Sequence, residues 1–185
     1  MGTEGLARTR TLRLYARYRM IRDATPEDEF ALAKVHLEAR SAGYGDLLDA
    51  AYTASLTLEG YVDDWRKRLA ETHRRTLVGE VDGEVRGFTR FGDAPNARRP
   101  AERAGVLELI YVLPAYWGTG LGAALLAAAE EGLVTQGFTS AFLAVYEENR
   151  RARAFYERHG WTHDGVSWQL DRGSPVTQVR YVKTL

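Results

Sequence analysis

The residues with most chemistry in them share one stretch, Leu107 to Ala124, where an apolar strand, a proline and a glycine-rich turn run into an alanine- and leucine-rich helix. Gly118, Gly120 and Gly122 take every second position of the turn. Without a Cβ, the backbone there reaches conformations closed to other residues and approaches a ligand closely. The first four N–H groups of the following helix lack internal partners, and the helix dipole places partial positive charge on them. A phosphate or pyrophosphate fits that end, and a tight strand-to-helix turn without any ligand accounts for the same glycines. No Gly-Lys-Ser/Thr follows, and the spacing is not Gly-x-Gly-x-x-Gly. That sets aside the nucleoside-triphosphate P-loop and the dinucleotide fingerprint.

The strand ahead of the turn carries Glu108. Strict alternation places Val106, Glu108, Ile110 and Val112 on one face, and Leu107, Leu109, Tyr111 and Leu113 on the other. A carboxylate among aliphatic neighbours must face a cleft, meet a cation, or have its pKa raised by desolvation. With a raised pKa it suits a general base that takes the proton of an ammonium group. The structural alternative is a salt bridge to an arginine of the 92 to 103 segment.

Pro114-Ala115-Tyr116-Trp117-Gly118-Thr119-Gly120-Leu121-Gly122, with Leu125-Leu126 behind it, resembles the acetyl-coenzyme A loop of the GNAT N-acetyltransferase superfamily, which usually reads Arg or Gln, x, x, Gly, x, Gly or Ala. Trp117 stands where the family usually has Arg or Gln, which removes one side-chain contact to phosphate but leaves the backbone donors. A second stretch, Asn149-Arg150-Arg151-Ala152-Arg153-Ala154-Phe155-Tyr156-Glu157-Arg158-His159-Gly160-Trp161, is similar to the GNAT pattern Asn-x-x-Ala-x-x-Phe-Tyr-Glu-x-x-Gly-Phe. The resemblance covers the chain from about residue 18. It implies a GNAT-like acyl-CoA N-acyltransferase fold: an α/β domain with a mixed, mostly antiparallel central sheet flanked by helices.

The resemblance also implies acetyl-CoA as co-substrate, held by Ile110, Tyr111, Val112, Trp117, Gly118, Thr119, Gly120, Leu121, Gly122 and Ala123, and by Asn149 and Ala152. Glu108 becomes the expected general base, acting through water, because many members have a glutamate at the matching place. Tyr156 becomes the acid that protonates the leaving thiolate, with an amphipathic core tyrosine as the alternative. Asn149 is expected to cap its helix and bind the pantetheine arm. The reading is therefore an N-acetyltransferase acting on a primary amine of a small molecule. Transfer is direct, since a chain without cysteine forms no cysteine-acyl intermediate. A protein or peptide amine is the runner-up, and a non-catalytic acyl-CoA-binding regulatory module is the different class. The presence of both Glu108 and Tyr156 favours the enzyme.

The elements that must position these groups follow from pattern. Met20-Ile21-Arg22 reads as a short strand, and Pro26-Glu27-Asp28 as the start of a helix that runs to about Arg40 and breaks at Ser41 to Gly45. Leu58, Tyr61, Val62, Trp65 and Leu69 mark a second helix over Thr57 to Ala70, with Asp46 to Ser55 as a further short helix or a loop. Asp82-Gly83 joins two β-rich runs as a hairpin. Val106 to Leu113 is the central strand, and Gly122 to Gln136 the helix after the turn. Thr139 to Tyr146 is a strand covered on both faces. Asn149 caps a helix with Ala152, Phe155, Tyr156 and His159 on one face, and two closing strands follow. The first helices and the 92 to 103 loop form the acceptor side. Asp46, Asp49, Asp63 and Asp64 there attract a cationic amine or are plain surface charge, and Tyr44, Tyr52 and Trp65 line the pocket.

Composition narrows the classes. The 185 residues are 45% hydrophobic and 27% charged, which suits one globular domain, read as 18–185 after an extension over 1–17. Lys plus Arg and Asp plus Glu number 25 each, so no net field points to nucleic acid or an anionic membrane. Without cysteine, and with His36, His73, His159 and His163 not read as a ligand set, no metal is expected. No apolar run reaches the roughly 20 residues of a membrane span, and the arginine-rich start lacks a secretory signal's apolar centre. The expected location is cytoplasmic, the expected partners are acetyl-CoA and an amine, and a homodimer is left open.

Overall fold

The computed structural model describes residues 20–44, 47–94, 100–101 and 104–185. The extension over 1–17, the strand start near Tyr18, Asp46 and most of the 92 to 103 loop lie outside the described residues. In chain order the elements are β1 (Met20–Asp23), α1 (Glu29–Tyr44), α2 (Ala50–Ala54), α3 (Leu58–Ala70), β2 (Arg74–Val81), β3 (Glu84–Gly92), β4 (Ala104–Val112), α4 (Leu121–Thr135), β5 (Ser140–Tyr146), α5 (Arg150–Arg158), β6 (Thr162–Asp171) and β7 (Pro175–Thr184).

Local chemistry sets most of these boundaries. Asp82 and Gly83 both have positive φ, 55° and 77°, which makes the two-residue turn between β2 and β3. Ahead of α1, the Asp28 carboxylate accepts the Thr25 N–H at 2.8 Å and Pro26 opens a single 3-10 turn. Asp49 caps α2 by accepting Tyr52 N–H at 3.0 Å, so the 46 to 55 stretch is a short helix where it is described. Thr57 caps α3 by accepting Gly60 N–H at 3.1 Å. Helix α1 does not break at Ser41 but continues to Tyr44. A glycine inside a helix costs about 1 kcal/mol. Against that cost, the Tyr44 ring packs edge-on to Tyr146 at 4.9 Å and to Tyr111 at 6.4 Å, a burial of aromatic surface that offsets it.

The seven strands form one sheet in the order β1-β2-β3-β4-β5-β7-β6. Every pair is antiparallel except β4 and β5, which run parallel. Helices α1 and α3 cover one face, with Leu32, Ala33, Val35, Tyr61 and Trp65 packed on Val78, Phe88 and Leu113. Helix α4 covers the other, setting Leu126, Ala129 and Leu133 against Phe91 and Leu107. Burying side chains of this size stabilises the fold by about 1.5–3 kcal/mol each. Among the described residues no helix is long and apolar enough to cross a membrane.

The parallel pairing is short. Ala104 to Val106 pair with Ser140 to Phe142, and the two strands then part. The resulting wedge lies at the C-terminal ends of β4 and β5, between the turn that follows one and the helix that follows the other.

Candidate active site

A cleft of about 340 Å³ fills this wedge. Its walls are Ile110, Tyr111 and Val112 of β4, the turn from Tyr116 to Ala123, the inner face of α5 from Asn149 to His159, and Ala39, Gly43 and Tyr44 of α1. Of the residues expected to hold acetyl-CoA, all but Thr119 and Leu121 line it. The Thr119 hydroxyl instead donates to the Tyr116 carbonyl at 2.7 Å, and Leu121 is buried in the core beneath α4.

The turn is shaped by its glycines, but not by all three alike. Gly118 and Gly120 have φ of 73° and 94°, and a Cβ built on either meets nothing within 4 Å. A side chain there would be strained and would fill the open cradle. Gly120 is the N-cap of α4 and has no side chain to satisfy the first-turn N–H groups. Gly122 has ordinary helical geometry; its Cβ position would lie 3.7 Å from Phe155. The indole Nε1 of Trp117 donates to the Val112 carbonyl at 2.7 Å, tying the turn back to β4.

Helix α5 forms the opposite wall. Asn149 is buried, and its Oδ1 accepts Ala152 N–H at 3.0 Å, the expected cap. Tyr156 is buried with its ring against Phe155 and Trp161, while among the described residues its hydroxyl has no hydrogen-bond partner. Burial, with a smaller contribution from the Tyr44 phenol, pushes its pKa far above the usual tyrosine range. Arg151 is a feature that spacing alone did not single out. Its guanidinium carbon sits 3.2 Å from the centre of the Trp117 ring, and both residues line the cleft. A cation thus stands beside the turn after all, supplied by α5 and seated on the tryptophan that replaces the family's usual Arg or Gln.

Glu108 is placed differently from the expectation. Pairing with β3 skips it: Arg90 is opposite Leu109 and Phe91 is opposite Leu107, so Glu108 is the extra residue of a β-bulge. Alternation therefore fails at this point. Leu107 and Ile110 pack on the α4 side while Leu109 and Tyr111 pack on the α1 and α3 side. Glu108 turns toward α3, away from the face it was expected to share with Ile110 and Val112. Its Oε1 meets Arg68 Nη1 at 2.6 Å; its Oε2 meets Arg74 Nη1 at 2.7 Å and Arg90 Nε at 2.8 Å. Burial alone would raise the carboxyl pKa, but the charges of Arg68, Arg74 and Arg90 and the hydrogen bond from Arg68 outweigh it and hold the pKa below the usual range. The expected raised pKa is thus corrected, and the partners come from α3, β2 and β3. Glu108 does not line the cleft.

Comparison with known proteins places the chain in a family. The acetyltransferase (GNAT) family matches residues 35–161. The chain belongs to the GNAT family. It is 32% identical over 130 residues to the uncharacterized N-acetyltransferase YuaI of Bacillus subtilis, covering 70% of this chain and 72% of that protein. It is 30% identical over 136 residues to an uncharacterized N-acetyltransferase of Archaeoglobus fulgidus, covering 74% and 88%. Its fold matches that of the PaiA N-acetyltransferase of Thermoplasma acidophilum, solved in complex with coenzyme A, with a TM-score of 0.70 at 20% identity over 90% of this chain and 98% of that one.

Of the two readings of the acidic residues, an attraction for a cationic amine or plain surface charge, the described positions fit the second. Asp49 caps α2, while Asp63 and Asp64 are exposed on α3, Asp63 paired with Arg66. Asp46 lies outside the described residues. Trp65 is fully buried in the core under α1 rather than in the cleft. Tyr44 does line the cleft, with its ring edge-on to Tyr146 and Tyr111. Arg40 and His36 precede it by one and two helical turns. His36 is buried among Tyr61, Trp65, Phe88 and Tyr111 with neither ring nitrogen bonded. Burial first, then the charges of Arg40 and Arg68, lower its pKa from 6.5 to about 3, so it is neutral. The readable signal was the spacing of His36, Arg40 and Tyr44 at i, i+4 and i+8, polar groups on the buried side of a helix.

Proposed function

We propose that this GNAT enzyme transfers the acetyl group of acetyl-CoA directly to the primary amine of a small molecule. Acetyl-CoA supplies the activated acetyl group as a thioester. The open cradle at Gly118 and Gly120 and the free N–H groups at the start of α4 take its pyrophosphate, with the Arg151 guanidinium beside them. The parted edge of β4 at Ile110 to Val112 and the amide of Asn149 hold the pantetheine arm. Tyr156 is the general acid: its high pKa keeps the proton on Oη until the sulfur of the leaving group accepts it. Glu108 enters as a positioning residue, because a carboxylate taken by three guanidiniums and held at low pKa is a poor proton acceptor. The ammonium proton leaves to water in the cleft. The close aromatic wall of Tyr44, Tyr111 and Tyr146 favours a small acceptor over a folded protein surface.

The observation that carries this reading is Tyr156, a buried tyrosine whose hydroxyl has no hydrogen-bond partner among the described residues and which lines the same cleft as the glycine cradle. A screen of amines with acetyl-CoA, read by thiol release, tests it. Thiol release that depends on a small amine and is lost with Tyr156→Phe is the expected result. Release from N-terminal peptides alone overturns the small-molecule reading. Binding of acetyl-CoA with no release for any amine points to the non-catalytic module.

A further inference from the structure

Two arginines beside Tyr52, Arg40 and Arg172, meet no carboxylate among the described residues. Arg40, on α1, has a buried Nε without a hydrogen-bond partner, and among the described residues its guanidinium meets no acid. Its one hydrogen bond among the described residues is a long one, 3.4 Å from Nη2 to the Tyr52 hydroxyl; the Tyr44 ring centre is 5.9 Å away, and the phenols of Tyr61, Tyr111 and Tyr146 and the neutral His36 ring are within electrostatic reach. Arg172, from the turn between β6 and β7, also meets Tyr52, with its guanidinium carbon 5.6 Å from the Tyr52 ring centre. Its Nε is likewise buried and unbonded, and its Nη1 donates only to the neighbouring Asp171 carbonyl. This turn is held against α2: a Cβ on Gly173 would lie 2.6 Å from the Asp49 Cβ.

Several arginines elsewhere in the sheet and its helices are paired with acids. Arg22, Arg68, Arg74, Arg75 and Arg90 all meet carboxylates. A guanidinium taken out of water without an anion is costly, and a buried donor with no acceptor adds to that cost. Arg40 and Arg172 are half-buried, each with a buried Nε that has no acceptor, and so bear part of this cost; both contact Tyr52, and Arg40 also lies near Tyr44 of the cleft wall. Planar guanidinium donors match the two oxygens of a carboxylate. We propose that the acceptor amine carries a carboxylate of its own, an amino acid or a close relative, and that Arg40 takes this carboxylate with Arg172 beside it at Tyr52. This inference rests on the amine-acetyltransferase reading above and names the substrate class of the same site. Tyr44 and Tyr111 then stack along the body of the acceptor, while its amine points to the cleft.

The test uses product-like probes, so it does not depend on turnover. The N-acetyl derivatives of the common amino acids and their C-terminal amides are titrated by calorimetry into the full chain saturated with coenzyme A. At least one acid should bind at least about tenfold more tightly than its amide, and Arg40→Gln should remove the difference while leaving coenzyme A affinity unchanged. In steady-state assays the same variant should raise KM for amino acids at least about tenfold and leave KM for acetyl-CoA alone. The melting temperature of the unliganded variant adds an independent readout: an unneutralised cation predicts that Arg40→Gln melts at or above the wild type, whereas a purely structural arginine predicts a drop. If Arg40→Gln fails to fold, Arg172→Gln carries the same comparison. Equal binding of acids and amides to the wild type, or a preference that survives both variants, overturns the inference. Acetylation of amines without any preference for a carboxylate overturns it too, while leaving the acetyltransferase reading standing.

Discussion

Glu108→Gln separates a structural hub from a catalytic base, and the geometry fixes what each should look like. The substitution keeps the size of the side chain but removes the charge that Arg68, Arg74 and Arg90 share. Arg90 is 1% exposed, and its other contacts are the Glu71 carboxylate, the Thr76 hydroxyl and the Arg68 carbonyl, so it is not left wholly without acceptors. Removing one partner of a buried pair costs 3–5 kcal/mol in general. With Glu108 20% exposed and Glu71 still in place, the lower end applies, about 3 kcal/mol. For a chain of this length each kcal/mol shifts the melting temperature by about 2–4 °C, so a fall of roughly 6–12 °C is expected by calorimetry. Below that transition the pH dependence of kcat/KM should keep its shape, because the group that titrates is not Glu108. A melting temperature within about 2 °C of wild type, together with a loss of turnover near a hundredfold and a flattened alkaline rise, would refute this argument and return Glu108 to the role of base.

The remaining perturbations probe the cleft and the core beneath it. Gly120→Asp forces a side chain into a left-handed position and sets a negative charge in the cradle, so acetyl-CoA affinity measured by calorimetry should fall at least about a hundredfold while the protein still folds. Tyr156→Phe keeps the ring packed on Phe155 and Trp161 but removes the proton, and turnover should drop about a hundredfold with acetyl-CoA affinity nearly unchanged; a drop under about threefold makes it a packing residue. Arg151→Met should weaken acetyl-CoA about tenfold or more, as loss of a charged hydrogen bond does, with an effect that shrinks at high salt. His36 gives a pH test. Below 6.5 the unfolded chain takes up a proton at this position and the folded chain does not, so its contribution is whole above 6.5 and lost as pH falls toward 3. From pH 7 to 5 that amounts to about 2 kcal/mol, and denaturant titrations of His36→Phe should lack this part of the loss. Glu108 and Asp28, whose pKa values are lowered, lose their contributions as pH falls from the ordinary carboxylate pKa through their lowered folded values, mostly below that window.

Much of this site was legible because its parts are local. The Asp82-Gly83 turn, the glycines before α4 and the Asn149 cap are each decided by backbone geometry within a few residues, and sequence reports such geometry directly. What was not legible depends on elements far apart in the chain. The face on which Glu108 lies is set by a bulge, and a bulge belongs to the pairing of β3 with β4, not to the alternation within β4 alone. Its three arginines come from α3, β2 and β3, so no spacing near Glu108 announces them. The end of α1 was placed too early for the same reason: Ser41 to Gly45 has a breaker's composition, and the packing of Tyr44 on Tyr111 and Tyr146 overrides it.

The bulge and the wedge explain each other. Beyond Val106 β4 no longer pairs with β5, so its strand pairing among the described residues is with β3 alone. The skipped residue adds local twist to β4 at the point of parting, and the carboxylate it carries is clamped to α3 and to the two preceding strands. Leu109 and Tyr111 are thereby turned toward α1 and α3, which brings the Tyr111 ring beside Tyr44 at the acceptor side of the cleft, while Ile110 and Val112 pack toward α4 and the glycine turn. One ion-pair hub thus fixes how the two halves of the cleft meet. A charge-neutral Glu108 should therefore misplace the acceptor more than the cofactor: in whatever fraction of Glu108→Gln folds, KM for the amine should rise while acetyl-CoA affinity holds. Equal weakening of both would mean that the bulge does not depend on the hub.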